Sequence, residues 1–213
     1  MNNATISYAI TVCNEHVELE RLLKQLIDQI SSDDEIVIQA DADNFTDEVH
    51  NLMERYADTH SELVKLIFAP LNKNFADFKN NIKSHCKNDY IVFIDADEYL
   101  SDTLLYHLKT ILKKNPAIEC VHVPRCNTVT GLTKEHVSKW RWQVDKQERV
   151  NWPDYQTRII QNKPYIKWEG KVHEKLTGWK ISTYLPDKDE SWCLYHPKDI
   201  VRQEKQNELY SKL

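Results

Sequence analysis

Three carboxylates in four residues, Asp95-Ala96-Asp97-Glu98, follow directly on the apolar run Ile91 to Ile94. A short apolar run bounded by polar residues reads as a strand buried on both faces. At the end of such a strand Asp95 and Asp97 leave the same face, so both could grip one divalent cation with hard oxygen ligands. The remaining coordination positions would fall to water or phosphate oxygens. Acidic pairs after strands are more often solvated ends or helix caps. The surroundings favour chemistry here, because the strand runs into the carboxylates and then into a helix begun by Ser101 or Asp102. That is the crevice in which open α/β sheets bind ligands.

Elements that could position these groups follow from periodicity. Ile6, Tyr8, Ile10 and Val12 alternate with smaller or polar residues, giving a first strand that ends near Cys13-Asn14-Glu15. Behind it Leu19, Leu22, Leu23, Leu26, Ile27 and Ile30 make one helical stripe. Glu35 to Gln39 is a second strand, and it too runs into acidic residues, Asp41 and Asp43. Thr46 or Asp47 caps the next helix, with Val49, Leu52, Met53 and Tyr56 on its buried side. Leu63 to Phe68 is a third strand, and Asn72 to Asn81 opens a helix ending near Cys86. This alternation predicts an α/β fold with a largely parallel sheet and right-handed crossovers.

After Leu100 a helix carrying Leu104, Leu105, Leu108, Ile111 and Leu112 is stopped by Pro116. The pattern then loosens. Cys120–Pro124, Val137–Val144, Gln156–Gln161 and Trp192–His196 read as strands between long, tryptophan-rich connections, and Lys198–Leu213 as a closing helix.

Composition narrows the function. A chain of 213 residues suits one α/β domain. Its formal net charge of −5 speaks against nonspecific nucleic-acid binding, so a phosphate-bearing ligand would need help from a metal. No apolar run is long enough for an integral membrane segment, and residues 1–13 lack a signal-peptide pattern. Five cysteines without regular spacing fit a reducing compartment, and a cytoplasmic monomer or weak homo-oligomer is expected. Glycines stand only at 131, 170 and 178, which excludes both common glycine-rich phosphate loops. Cys120, His122 and Cys126 invite a zinc reading, but no second pair has matching spacing.

Four separated stretches together resemble the family 2 glycosyltransferases with the GT-A nucleotide-sugar-binding fold. They are Thr11-Val-Cys-Asn-Glu15; Asn74-Phe-Ala-Asp-Phe-Lys-Asn80 with Tyr90-Ile-Val-Phe-Ile-Asp-Ala-Asp-Glu98; Gln156-Thr-Arg-Ile-Ile-Gln-Asn162 with Trp168-Glu-Gly-Lys-Val-His-Glu-Lys-Leu176; and Leu194-Tyr-His-Pro197. Their order and spacing carry the resemblance across most of the chain. Two departures stand out. The family's acidic motif after the second strand fits Asp41 to Asp47 only with a shift of one residue, and Lys79 stands where the pattern has Arg. A bidentate contact at that position would become a point charge.

The resemblance implies a single GT-A-type, Rossmann-like domain over 1–213, with a nucleotide-sugar half (1–100) and an acceptor half with a closing helix (101–213). It implies an inverting hexosyl transfer from a nucleotide diphosphate sugar, UDP-glucose or another UDP-hexose first, to a saccharide or other hydroxyl acceptor. Mn²⁺ or Mg²⁺ would stabilise the leaving diphosphate as a Lewis acid. Asp97 would bind the ion directly, Asp95 through ribose or water, and the third ligand would be His196 or, in competition, His173. Glu174 is the expected general base, with a salt bridge to Lys171 or Lys175 as its plainer role, and Asp154 is the alternative base or an acceptor contact. Asn14 and Glu15 would shape the base or ribose site, and Asp41 or Asp43 would accept from the base N–H. Lys79 and Arg158 would offset phosphate charge, against an exposed surface role for Lys79 and a structural carboxylate partner for Arg158. Among Trp140, Trp142, Trp152 and Trp168, one or two would stack on the acceptor sugar, the rest being core. Two other functions compete: a noncatalytic carbohydrate- or nucleotide-sugar-binding module, and a sugar nucleotidyltransferase, which the scarcity of glycine disfavours.

Overall fold

The computed structural model describes residues 4–210. Its first half alternates as the periodicity requires: β1 (Ile6–Val12), α1 (His16–Gln29), β2 (Glu35–Asp41), α2 (Asp47–Thr59), β3 (Val64–Ala69), α3 (Phe75–His85) and β4 (Tyr90–Asp95). Side chains fix the helix starts. Thr46, Asn74 and Ser101 each accept from a backbone N–H of the first turn, the last of them opening α4 (Asp102–Lys114) after the short β5 (Tyr99–Leu100). The leucine stripe of α1 is sealed: Leu19, Leu22, Leu23 and Leu26 have no exposed surface, which contributes roughly 1.5–3 kcal/mol per side chain.

In the second half come β6 (Cys120–Thr130), α5 (Lys134–Trp140), β7 (Val150–Gln161), β8 (Lys167–Glu169), β9 (Lys175–Thr177), β10 (Ser182–Tyr184), a 3₁₀ turn at Glu190–Trp192, β11 (Leu194–Asp199) and α6 (Ile200–Tyr210). Three expectations are corrected. The strand expected at 137–144 is largely helix: Thr133 and His136 form a reciprocal cap, Arg141 ends the helix in the left-handed region, and only Val144 forms a bridge, to Val150. The strands expected at Cys120–Pro124 and Gln156–Gln161 are the ends of β6 and β7, which pair with each other well beyond them. Trp192 lies in the 3₁₀ turn, and the closing strand starts at Leu194. Residues 211–213 of the expected closing helix lie outside the described residues.

One mixed sheet runs β3-β2-β1-β4-β7-β6-β11-β5, with β10 also paired to β6; β8 and β9 form a separate hairpin. The first four strands of that order are mutually parallel. Because β2 and β3 extend the sheet on one side of β1 and β4 on the other, strand order reverses between β1 and β4. Ligands of such sheets bind outside the carboxyl ends at that switch point. Strand alternation splits the core into two. Ile6, Tyr8, Ile10, Ile36, Ile38, Val92 and Ile94 pack on one face, and Ala9, Val37, Ile91, Phe93 and Ile160 on the other. Asp95 therefore continues the face of Ile91 and Phe93, the one on which Ala76 and Ile82 of α3 pack.

Candidate active site

β4 ends at Asp95, and the chain turns at once, the Glu98 N–H donating to the Asp95 carbonyl at 2.8 Å. Strand alternation therefore does not carry Asp95 and Asp97 to the same partners. Asp95 Oδ1 accepts from the Thr11 hydroxyl at 3.0 Å across the parallel β1–β4 register and lies 3.4 Å from Lys79 Nζ. Its Oδ2 accepts from Arg158 at 2.8 Å. Burial pushes the Asp95 pKa up, but Arg158 and Lys79 outweigh it and hold the carboxyl well below the usual range. Behind it Glu98 is fully buried, accepting from Arg158 at 2.6 Å, from Arg125 at 3.2 Å and from the Asp95 N–H at 3.1 Å.

Asp97 faces other cations. His196 Nε2 is 3.3 Å from its Oδ2, with Arg202 at 3.6 Å and Lys198 at 3.7 Å. Burial works against its ionised form, yet the His196 hydrogen bond and the Lys198 charge keep its pKa below the ordinary value. Lys198 is itself shifted down, by burial first and then by Arg125 and Arg202, with Asp97 opposing. The two ring nitrogens of His196 have different partners. Asn127 Nδ2 donates to Asp154 at 2.9 Å, so Asn127 Oδ1 is left as the acceptor 2.7 Å from His196 Nδ1. Nδ1 thus meets Asn127, and Nε2 is the ring nitrogen that faces Asp97. Among the described residues no three His, Cys, Asp or Glu side chains converge as a ready metal cage. Asp97 and His196 nevertheless fit a divalent ion as a two-donor set, one carboxylate oxygen and one imidazole nitrogen. Asp95, taken up by Thr11, Arg158 and Lys79, does not fit as a further donor.

Glu174 lies in the segment between β8 and β9 and lines a cleft of about 390 Å³ with Tyr155, Trp168, His173, Lys175 and Trp179. Its Oε1 is 2.8 Å from Lys79 Nζ, so its ion pair is with Lys79 and not with the Lys171 or Lys175 expected from sequence. Lys79 is likewise no surface residue: its side chain is 9 % exposed and its ammonium sits 4.7 Å over the Trp168 ring. Trp168 is buried edge-on against Phe93. Trp140 and Trp142 pack on each other with His136, and Trp152 lies under Arg149; none of these three lines the cleft.

Several expected ligand contacts serve the scaffold instead. Arg158 is 5 % exposed and spends its guanidinium on Asp95 and Glu98, so it reinforces the acidic turn from behind and has no open face for phosphate. Asp154 accepts from Arg125 at 2.6 Å, Asn127 at 2.9 Å and Gln156 at 2.8 Å. Burial raises its pKa, but Arg125 and these donors bring it below the usual range, the wrong direction for a base. Glu15 closes the end of β1 by accepting from the N–H groups of Cys13 and Asn14, while its other oxygen takes Arg202 at 2.9 Å. Asn14 is exposed beside it. Asp41 is buried and accepts from Asn44 at 2.8 Å and from the Asp43 and Leu71 N–H groups, so it ties together the loops after β2 and β3. Asp43 is exposed at that loop. His173 has a left-handed backbone (φ 56°) and stands in the Glu174 cleft, whereas His196 is the imidazole at Asp97. Cys120 is buried, and His122 stacks on Tyr184 at 4.4 Å, a packing role with no zinc geometry.

Sequence reasoning assigned no role to Glu98, Arg125, Asn127, Lys198 or Arg202. The signal for Lys198 and Arg202 was available: they lie two and six residues after His196, on the strand and helix that carry it. Arg125 and Asn127 needed the β6–β7 and β6–β11 pairings, which place them against Asp154 and His196.

A mixed α/β sheet with a carboxylate turn at its switch point is the architecture of the GT-A glycosyltransferases. The chain belongs to glycosyl transferase family 2, whose family model matches residues 7–166. No curated protein matches it. Among solved structures it is similar to Staphylococcus aureus TarS 1–349 in complex with UDP, with TM-score 0.63 and 14 % identity over 91 % of this chain and 60 % of that one. Longer TarS gives 0.60 and 14 %, over 91 % and 36 %. The mannosyltransferase PcManGT from Pyrobaculum calidifontis, in complex with GDP-Man and Mn²⁺, gives 0.50 and 22 %, over 59 % and 36 %. At these identities the likeness is one of fold, and this chain spans about a third to three fifths of those proteins. No helix among its described residues is long and apolar enough to cross a membrane.

Proposed function

We propose that this chain transfers a hexose from a uridine diphosphate sugar, UDP-glucose being the first candidate, to an acceptor hydroxyl with inversion, in the presence of Mn²⁺ or Mg²⁺. The observation that carries the proposal is the meeting of Asp97 and the Nε2 of His196 at the carboxyl ends of the parallel strands, with Lys198 and Arg202 beside them. TarS is known in complex with UDP and with UDP-GlcNAc, and PcManGT with GDP-Man and Mn²⁺, which supports a nucleotide sugar and a divalent ion here.

Asp97 and His196 would hold the ion, which supplies Lewis-acid stabilisation of the departing diphosphate when bound. Lys198 and Arg202 approach the same carboxylate and bring the positive charge to the diphosphate that Arg158, buried behind Asp95, does not. Asp43, exposed at the loop that Asp41 organises, is the carboxylate placed to accept from the base N–H, and Asn14 borders the same site. Glu174 takes the proton from the acceptor hydroxyl as it attacks the anomeric carbon. Trp179 lines the cleft with Glu174 and offers aromatic surface to the acceptor. Residues before 100 thus supply most of the donor floor. Later residues supply the acceptor wall and the imidazole at the ion.

Release of UDP from a panel of sugar nucleotides, with Mn²⁺, Mg²⁺ or chelator, tests the proposal. UDP-hexose turnover that chelator abolishes is the expected result. Turnover indifferent to chelator would remove the ion, and turnover with GDP-mannose alone would replace the donor.

A further inference from the structure

One helix holds the Glu174 segment at several points. The Phe75 N–H of α3 donates to the Lys171 carbonyl at 3.0 Å. One turn on, the Asn80 side chain accepts from the Trp168 N–H at 2.9 Å and donates to the Trp168 carbonyl at 2.8 Å. Between these clasps Lys79 reaches Glu174 at 2.8 Å and Asp95 at 3.4 Å, and it covers the Trp168 ring. An ammonium nine-tenths buried between two carboxylates and an indole face has little room to turn outward to a diphosphate.

We propose that Lys79 is a positioning residue: it fixes the Glu174 carboxylate against the Asp95 end of β4 and so sets the distance between acceptor base and donor floor. This rests on the proposed role of Glu174 as base. The motif Asn74 to Asn80 is then a clasp for the acceptor side of the site, and the lysine found where the family pattern has arginine keeps that work with one charged atom in place of a fork. A misplacement of about 1 Å in a reacting group costs on the order of a hundredfold in rate, so the clasp acts on turnover and leaves nucleotide affinity alone.

Lys79→Met keeps the length of the side chain and removes its charge, and Lys79→Arg restores the charge. The expected result is that K79M lowers kcat with a UDP-hexose by roughly tenfold to a hundredfold while the UDP Kd, by calorimetry, stays within about twofold, and that K79R recovers most of the rate. In the E174Q background K79M should cost almost nothing further, since both act through one group. Amide exchange of residues 171–176 should quicken in K79M, a readout that needs no turnover. Loss of UDP affinity in step with rate would make Lys79 a phosphate contact and overturn the proposal. So would additive losses in the double variant, or unchanged exchange in that segment. A wild-type protein that neither binds UDP nor turns over any UDP-hexose would instead sink the donor assignment, with the exchange experiment still deciding on the clasp.

Discussion

Asp95 and Asp97 are two residues apart and live in different worlds. Asp95 is bonded to Thr11, Lys79 and Arg158 and shares its arginine with the fully buried Glu98. Asp97, its side chain 13 % exposed against 33 % for Asp95, faces an imidazole and two longer cations carried by β11 and α6. The difference teaches that a pair of acidic residues need not be a pair of ligands. The first belongs to a charged network that holds the turn from β7 and α3, and the second is joined to groups of β11 and α6.

The sharpest way to break this contrast is Arg158→Met. It strands Asp95 and Glu98 without their shared cation, and we expect a loss of about 3–5 kcal/mol in denaturant unfolding, the usual cost of removing one partner of a buried ion pair. Retained stability would show that the Asp95 network does not hold the turn. Asp97→Asn should do the opposite: the fold persists, while turnover of a UDP-hexose falls by roughly 10²–10³-fold as transition-state charge stabilisation is lost.

Smaller effects sharpen the Asp97 side. Lys198→Met should raise the UDP Kd about tenfold, about 1.4 kcal/mol, with Arg202→Met similar, and calorimetry reads both. Acid gives the smallest signal. Asp95 and Asp97 are both held below their usual pKa, so between the folded and unfolded values the unfolded chain binds more protons and stability rises with pH. Their contribution is complete above an unfolded value of about 3.9 and is lost as pH falls towards the folded values. Unfolding midpoints of Asp97→Asn should therefore decline less steeply than wild type between about pH 5 and 2. An identical slope would mean that its cations contribute nothing to stability.

The first half of the fold was legible because each element there reports its own burial. Leu19 to Leu26 can be read as a helix, and Ile91 to Ile94 as a strand, without knowing what lies beside them. The segment around Trp140-Arg-Trp142 was not, since its alternation of aromatic and polar residues imitates a strand while Thr133 and His136 cap a helix before it. Among site residues, the pairing of Asp97 with His196 could be suspected from order along the chain. A structural carboxylate partner was expected as the plainer role of Arg158, but not which carboxylate: it lies beside Asp95 only because β7 inserts antiparallel next to β4, a sheet order that no local pattern encodes. Lys79 failed for a related reason, because its burial depends on the β8–β9 hairpin folding over α3.

β11 lies between β6 and β5, with His196 level with Asn127 and Leu194 level with Leu100. The imidazole and Lys198 thus come from a strand, and Arg202 from a helix, made long after Asp97. During synthesis the early β/α units can fold on emergence, but Asp97 waits, without these companions, until β11 and α6 have also been made. Asp97 and the groups that face it are thus joined only by the pairing of β11 with β5 and β6.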